Sequence, residues 1–168
     1  MRFNFIAVLA MVALVAGCES ASKSGGAVSG GGGGGVSGGA DGGRYAVGSQ
    51  EQLVAEVGDR VFFGYDKYDL DLKARTTLAR QAAFLKANPG VTITVEGHCD
   101  ERGTREYNLA LGDRRANSVK DYLVALGVDI GRVKTISYGK ERPVALGSNE
   151  AAWAQNRRGV TVVAGASY

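Results

Sequence analysis

Twelve of the 20 residues from Ser24 to Gly43 are glycine, and the remainder are Ser, Ala and Val with the single charge of Asp41. Such a stretch carries nothing large enough to bury a core, and ordering glycine costs more backbone entropy than ordering any other residue. It is therefore expected to be a flexible coil, with a root-mean-square span of about 25 Å. The tract divides the chain. The 125 residues after it are enough for one hydrophobic core and too few for two, which excludes a multi-domain enzyme. Those 125 residues hold 18 basic and 15 acidic side chains, so the whole net charge of +3 lies there. With neither a basic stripe nor a basic tail, the chain lacks the footprint of a nucleic-acid binder.

Ahead of the tract, Arg2 is followed by an apolar run from Phe3 to Ala16, broken only by Asn4. A short positive start and a hydrophobic stretch make the layout of a secretory signal. The run falls short of the ~20 residues that a membrane-spanning helix needs. It closes on Leu14-Val15-Ala16-Gly17-Cys18, and small residues before a cysteine resemble the bacterial lipobox. The expectation is a signal peptide over residues 1–17 and an acylated Cys18 as the new first residue. A single acyl chain of myristoyl size holds only weakly, so stable anchoring needs more than one. Glu19 follows the cysteine where an aspartate would resemble an inner-membrane retention signal, which favours the outer membrane. Without acylation the same chain would be a soluble periplasmic binder. The organisation read from the sequence is thus 1–17 signal, 18–48 lipidated start and tether, and 49–168 folded domain. Cys99 then has no partner in the mature chain, and is expected to be a small buried apolar side chain in a turn.

The domain reads as alternating helices and strands. Ser49-x-x-Gln52 resembles a capping box opening a short helix to about Val57. Arg60–Tyr65, rich in aromatic and β-branched residues, reads as a strand. Asp69 or Asp71 caps a helix to Lys86 or Ala87, with Leu78, Ala82 and Leu85 at helical spacing and Pro89-Gly90 as its stop. Val91–Glu96 alternates, with Val91, Ile93 and Val95 on one face, as a strand buried on one side does. A long helix runs from Glu106 or Tyr107 to Leu126, with Leu111, Arg115, Val119, Tyr122 and Leu126 along one side and Gly127 ending it. Val133–Ser137 is a third strand, Glu150–Asn156 a short helix and Gly159–Val163 a fourth strand. The pattern predicts an α+β fold, a two-layer sandwich of one mixed four-stranded sheet with two long helices on one face.

The chemistry gathers between the second strand and the long helix, in Glu96-Gly97-His98-Cys99-Asp100-Glu101-Arg102-Gly103-Thr104. An enzyme reading would have His98 activate Cys99 or ligate a metal. Zinc hydrolase sites need three protein ligands, the chain has one histidine, and adjacent residues rarely form a nucleophile–base pair. No catalytic residue, metal or cofactor is therefore expected. A second reading makes the segment a solvated turn held by Asp and Gly. The third is a ligand site.

Thr94-Val95-Glu96-Gly97-His98-x-Asp100-Glu101-Arg102-Gly103-Thr104, followed by Tyr107-Asn108-x-x-Leu111-Gly112-x-Arg114-Arg115-Ala116-Asn117, closely resembles the domains similar to the carboxy-terminal part of outer-membrane protein A. Tyr65-Asp66-x-Tyr68-x-Leu70, Ser137-Tyr138-Gly139-Lys140-Glu141-x-Pro143 and Asn156-Arg157-Arg158 extend the resemblance over residues 60–163. With the lipobox and tether, it points to the lipid-anchored, peptidoglycan-associated branch of that family. The resemblance implies an outer-membrane lipoprotein on the periplasmic face that grips uncrosslinked peptidoglycan through the meso-diaminopimelate of its stem peptide. It further implies a role in the Tol–Pal system at cell division, with TolB and other Tol proteins as partners. It assigns ligand contacts to Asp66, Asp100, Arg102, Leu111 and Arg115. The free end of diaminopimelate is a zwitterion, so an acid and an arginine must be held a few ångströms apart. Asp100 ends the second strand, and Arg115 lies in the helix that folds back on it. Arginine suits the carboxylate because its planar fork binds in two places at once. Leu111, four residues before Arg115, shares its helix face and floors the pocket. Arg102 orients Asp100 or adds a cation. Asp66, closing a first strand expected to neighbour the second, rims the cleft. Arg157 and Arg158 are expected to tie the last helix to the sheet. A peptidoglycan hydrolase or amidase is the alternative from another class.

Overall fold

Side-chain caps set where each helix of this domain begins. In the computed structural model, which describes residues 45–165, helix α1 (Gln50–Gln52) continues into a π-helical turn, Leu53–Val57. Ser49 Oγ accepts the Gln52 N–H at 3.2 Å, the first half of a capping box; the reciprocal bond shifts by one residue, Gln52 Oε1 accepting the Gly48 N–H at 2.8 Å because the Ser49 N–H donates to the Ala46 carbonyl. The expected signal peptide, Cys18 and the glycine tract lie outside the described residues.

Strand β1 (Arg60–Phe62) leads to α2 (Leu72–Ala87), capped by Asp71 through the Ala74 N–H at 2.7 Å. Strand β2 (Ile93–His98) leads to α3 (Arg105–Ala125), capped by Thr104. Then follow β3 (Val133–Gly139), α4 (Glu150–Asn156), capped by Asn149, and β4 (Arg158–Val163).

The sheet runs β1-β4-β2-β3, with β4 antiparallel to both neighbours and β2 parallel to β3. It is mixed, as expected, and α3 is the crossover that a parallel pair demands. Val61, Ile93, Val95 and Val133 from the sheet pack in one core with Leu78, Ala82 and Leu85 of α2 and Ala116, Val119 and Leu123 of α3. The two long helices therefore share one face of the sheet, and the fold is the expected α+β two-layer sandwich.

Two local expectations need correction. The first strand stops at Phe62 and not at Tyr65, and it pairs with β4, so it does not neighbour β2. Arg158 to Val162 are buried on both sides, the near-continuous burial of a central strand, and this places β4 between the other two. Strand β2 also runs two residues beyond Glu96. The apolar alternation ends there because Gly97 has no side chain to show, yet its core face is filled by α3. A Cβ on Gly97 would stand 1.8 Å from the Gly112 carbonyl oxygen.

Candidate functional site

Beyond the carboxyl end of β2 the chain makes a tight loop, Cys99–Thr104, which is held from several sides. The Cys99 N–H donates to the Gly139 carbonyl at 2.7 Å, and Gly103 takes a left-handed φ of 91° that a side chain would disfavour. Asn108 Nδ2 donates to the Arg102 and Thr104 carbonyls at 2.8 and 3.0 Å, and Lys140 Nζ to the Gly103 carbonyl at 2.7 Å. The loop, the start of α3 and the segment after β1 enclose a cavity of about 140 Å³. Asp66, Asp100, Arg102, Leu111 and Arg115, all five residues singled out from the sequence, line it.

Arg115 explains how residues so far apart come together. It is fully buried, its Nη1 donating to the His98 carbonyl at 2.8 Å, Nε to Lys67 at 2.8 Å and Nη2 to Gly64 at 3.1 Å. One side chain of α3 thus pins the segment after β1 against the end of β2, although those strands are not paired. That is how Asp66 reaches the cavity. Asp66 sits at φ 54° and accepts a hydrogen bond from the Tyr107 hydroxyl. Leu111, buried one turn before Arg115, supplies apolar wall.

Asp100 is buried, and its ion pairs are with Arg102 and Arg157 rather than Arg115. Its Oδ2 accepts from Arg102 Nη2 at 2.6 Å and Arg157 Nη1 at 3.3 Å; its Oδ1 accepts from the Arg102 N–H at 3.1 Å and Nε at 3.2 Å. Burial by itself would raise the carboxyl's pKa, but these bonds outweigh it and hold it below the usual carboxylate range. Arg102 is also stacked between the rings of Tyr65 and Trp153, 4.1 and 4.0 Å from their centroids. The acid and the Arg115 guanidinium therefore line one cavity with no ion pair or hydrogen bond between them.

Arg157 does the structural work expected of it, bonding the Phe63 carbonyl and Glu150 of α4, and it also orients Asp100. Tyr107 and Trp153 were not foreseen. Tyr107 stood inside the recognised motif, while Trp153, the only tryptophan, lies 51 residues from Arg102 and only folding joins them.

His98 and Cys99 do not cooperate. The imidazole faces Glu96 at 3.4 Å and stacks on Tyr138, whereas Cys99 Sγ donates to the Asn108 carbonyl at 3.4 Å. Burial, reinforced by Arg158, Arg142 and Arg60, lowers the His98 pKa to about 3, and burial raises that of Cys99. The imidazole is too weak a base and the thiol too weak an acid for a nucleophilic pair. Among the described residues no three His, Cys, Asp or Glu side chains cluster to hold a metal ion.

Fold and site together define an α+β sandwich domain with a small charged cavity at the end of its second strand. Residues 62–157 match the OmpA family, and the chain belongs to it. A curated relative from Agrobacterium fabrum, named peptidoglycan-associated lipoprotein, is 56% identical over 119 residues, 71% of this chain and 67% of that one. One of the same name from Mesorhizobium japonicum is 48% identical over 96% of this chain and 91% of that one. Among solved structures, the peptidoglycan-associated lipoprotein of Burkholderia pseudomallei superposes with a TM-score of 0.61 at 46% identity, over 62% of this chain and 89% of that chain. The carboxy-terminal domain of Helicobacter pylori MotB shares the fold at 21% identity and a TM-score of 0.60, over 65% and 86% of the two chains.

Proposed function

We propose that this chain is a lipid-anchored protein of the bacterial outer membrane that binds peptidoglycan without covalent attachment, through the cavity at the end of β2. The observation that carries the reading is that Asp100 and Arg115 line one cavity, each bonded to other groups rather than to the other. The ammonium of a diaminopimelate end meets Asp100, with Asp66 at the rim. Its carboxylate meets Arg115, whose three carbonyl bonds leave two of its five N–H groups. Leu111 packs against the methylene stem, and Arg102 shifts on its stack between Tyr65 and Trp153 to make room at Asp100. The names of the relatives support a wall ligand, and the sequence before the tract supports acylation at Cys18 and a periplasmic domain. Within this reading the protein acts as the Pal component of the Tol–Pal system, with TolB competing for the wall-binding surface during division.

Cosedimentation with purified sacculi tests it. A charge-assisted hydrogen bond of this kind contributes about 1.5–3 kcal/mol, so Asp100→Asn is expected to weaken retention at least tenfold while the near-ultraviolet circular dichroism is unchanged. Arg115→Lys keeps the charge but loses the fork and the carbonyl bonds that pin the segment after β1, so retention is expected to fall together with the urea midpoint. Undiminished retention in both variants overturns the site. Release of soluble muropeptides by the wild-type chain would favour the hydrolase alternative.

A further inference from the structure

The face of the sheet turned away from α2 and α3 carries a second cavity, of about 340 Å³, that the wall-binding reading does not use. The pairing register puts Arg60, Arg158 and Val160 on this face together with Glu96 of β2. The segment after β3 closes over them. Asn156 Oδ1 accepts the Val144 and Ala145 N–H groups at 2.8 and 3.1 Å, and Arg158 Nη2 donates to the Arg142 carbonyl at 3.2 Å. Six titratable or charged groups line the space: Asp59, Arg60, Glu96, His98, Arg142 and Arg158.

The charges of this cavity do not balance. Asp59 is engaged by Arg60 through two bonds of 2.8 Å, and Glu96, within the field of Arg142 and Arg158, bonds neither of them and faces His98, so two carboxylates stand against three arginines. Arg158 is only 4% exposed, yet its bonds are long ones to main-chain carbonyls, and its Nε–H has no acceptor. His98 Nδ1, in the same wall, is also unpartnered. Arg142 extends its guanidinium over the Tyr138 ring, 3.7 Å from the centroid. A buried guanidinium without a carboxylate in contact costs free energy that a bound anion would recover. Arg115 in the first cavity has the same arrangement, a buried guanidinium whose hydrogen bonds all go to carbonyls in the wall of an open space.

The surroundings of the second cavity decide what kind of anion fits. Phe62 and Ile136, the register partners of Arg158 and Glu96, share this face and are about two-fifths exposed, and Val144 at the cavity wall is half exposed. A free inorganic ion has no use for apolar flanks, whereas a peptide does. We propose that this cavity is a second binding site, which takes a carboxylate presented by an acidic, partly apolar peptide segment of a protein partner. Arg142 and Arg158 receive the carboxylate, Phe62, Val144 and Ile136 hold the apolar side chains, and Glu96 opposes the ligand's charge.

The test is an NMR titration of the full ¹⁵N-labelled chain with acetyl-Glu-Leu-Glu-Leu-Glu-amide and with the peptide carrying Gln for Glu. Saturable shifts of the Val144 and Ala145 amides and of the Arg158 Nε–H are expected with the acidic peptide alone. Arg142→Gln, an exposed change, should weaken binding at least tenfold, and Glu96→Gln should tighten it a few-fold. Retention on sacculi should be unchanged in Arg142→Gln, which separates this site from the wall-binding one. The proposal is overturned by the absence of saturable shifts or by equal response to the Gln peptide. It is equally overturned if acetate at matched carboxylate concentration gives the same shifts, if Glu96→Gln weakens binding, or if concentrating the protein alone reproduces the shifts, which would assign the face to a second copy.

Discussion

His98 is the residue whose neighbourhood departs most from what its type suggests. Buried beside Arg158 and Arg142, it stays neutral down to a pKa of about 3, against 6.5 in an unfolded chain. Between those values the unfolded state binds a proton that the folded state does not, so stability falls as the pH drops. The slope approaches about 1.4 kcal/mol per pH unit. Asp100, its carboxyl held low, adds in the same direction at the acid end; Glu96, raised by burial, acts in the opposite sense above its ordinary pKa. Urea midpoints between pH 4 and 7 should therefore decline toward acid in the wild type and flatten in His98→Gln. Equal slopes would mean that the imidazole titrates normally. Nothing in the motif Gly97-His98-Cys99 announces this, because the burial that chiefly lowers the pKa, and the arginines of β4, β1 and the segment after β3 that add to it, come only with the fold.

At the level of elements, the contact that positions the first cavity is the crossing of α3 over β2. Gly97 and Gly112 let the two backbones approach so closely that a Cβ on Gly97 would meet the Gly112 carbonyl at 1.8 Å, and one on Gly112 would meet Ser137 Oγ at 2.3 Å. Gly97→Ala must push the helix off the sheet, at or above the roughly 3 kcal/mol upper end of ordinary overpacking. Because Arg115 rides on that helix and Asp100 on that strand, sacculus binding should fall along with the urea midpoint. Removing the cap of the same helix is milder. Thr104→Ala leaves the Tyr107 N–H without its side-chain acceptor and should cost about 1 kcal/mol in chemical denaturation, with the cavity intact. Helix starts were legible because a cap is a local bond between residues three apart, as Ser49, Asp71 and Thr104 show. Strand order was not, since β4 enters between β1 and β2 from the far end of the chain.

For the whole molecule, the proposed function implies two charge-assisted contacts to one diaminopimelate end, together about 3–6 kcal/mol, a Kd between millimolar and tens of micromolar. Display of many chains on one membrane opposite many stem peptides raises the effective grip by about 10²–10⁴ without any new contact. The lipidated chain on vesicles should stay on sacculi through washes that remove a Cys18→Ser chain, and equal loss of both would deny the anchor its part. The sequence by itself determined the glycine-rich composition of the tract, the lipobox-like start, the helix caps, the α+β class and the five residues that share a cavity. Each of these is written in composition, in short-range spacing or in motifs retained across a family. Tertiary structure alone decided that Asp100 is held by Arg102 and Arg157, that Trp153 stacks on Arg102, and that Arg158 lies buried with no carboxylate bonded to it. These contacts join residues up to 57 positions apart or depend on which strand lies beside which. Burial and pairing of charge follow from where the chain passes in space, and no local pattern records that.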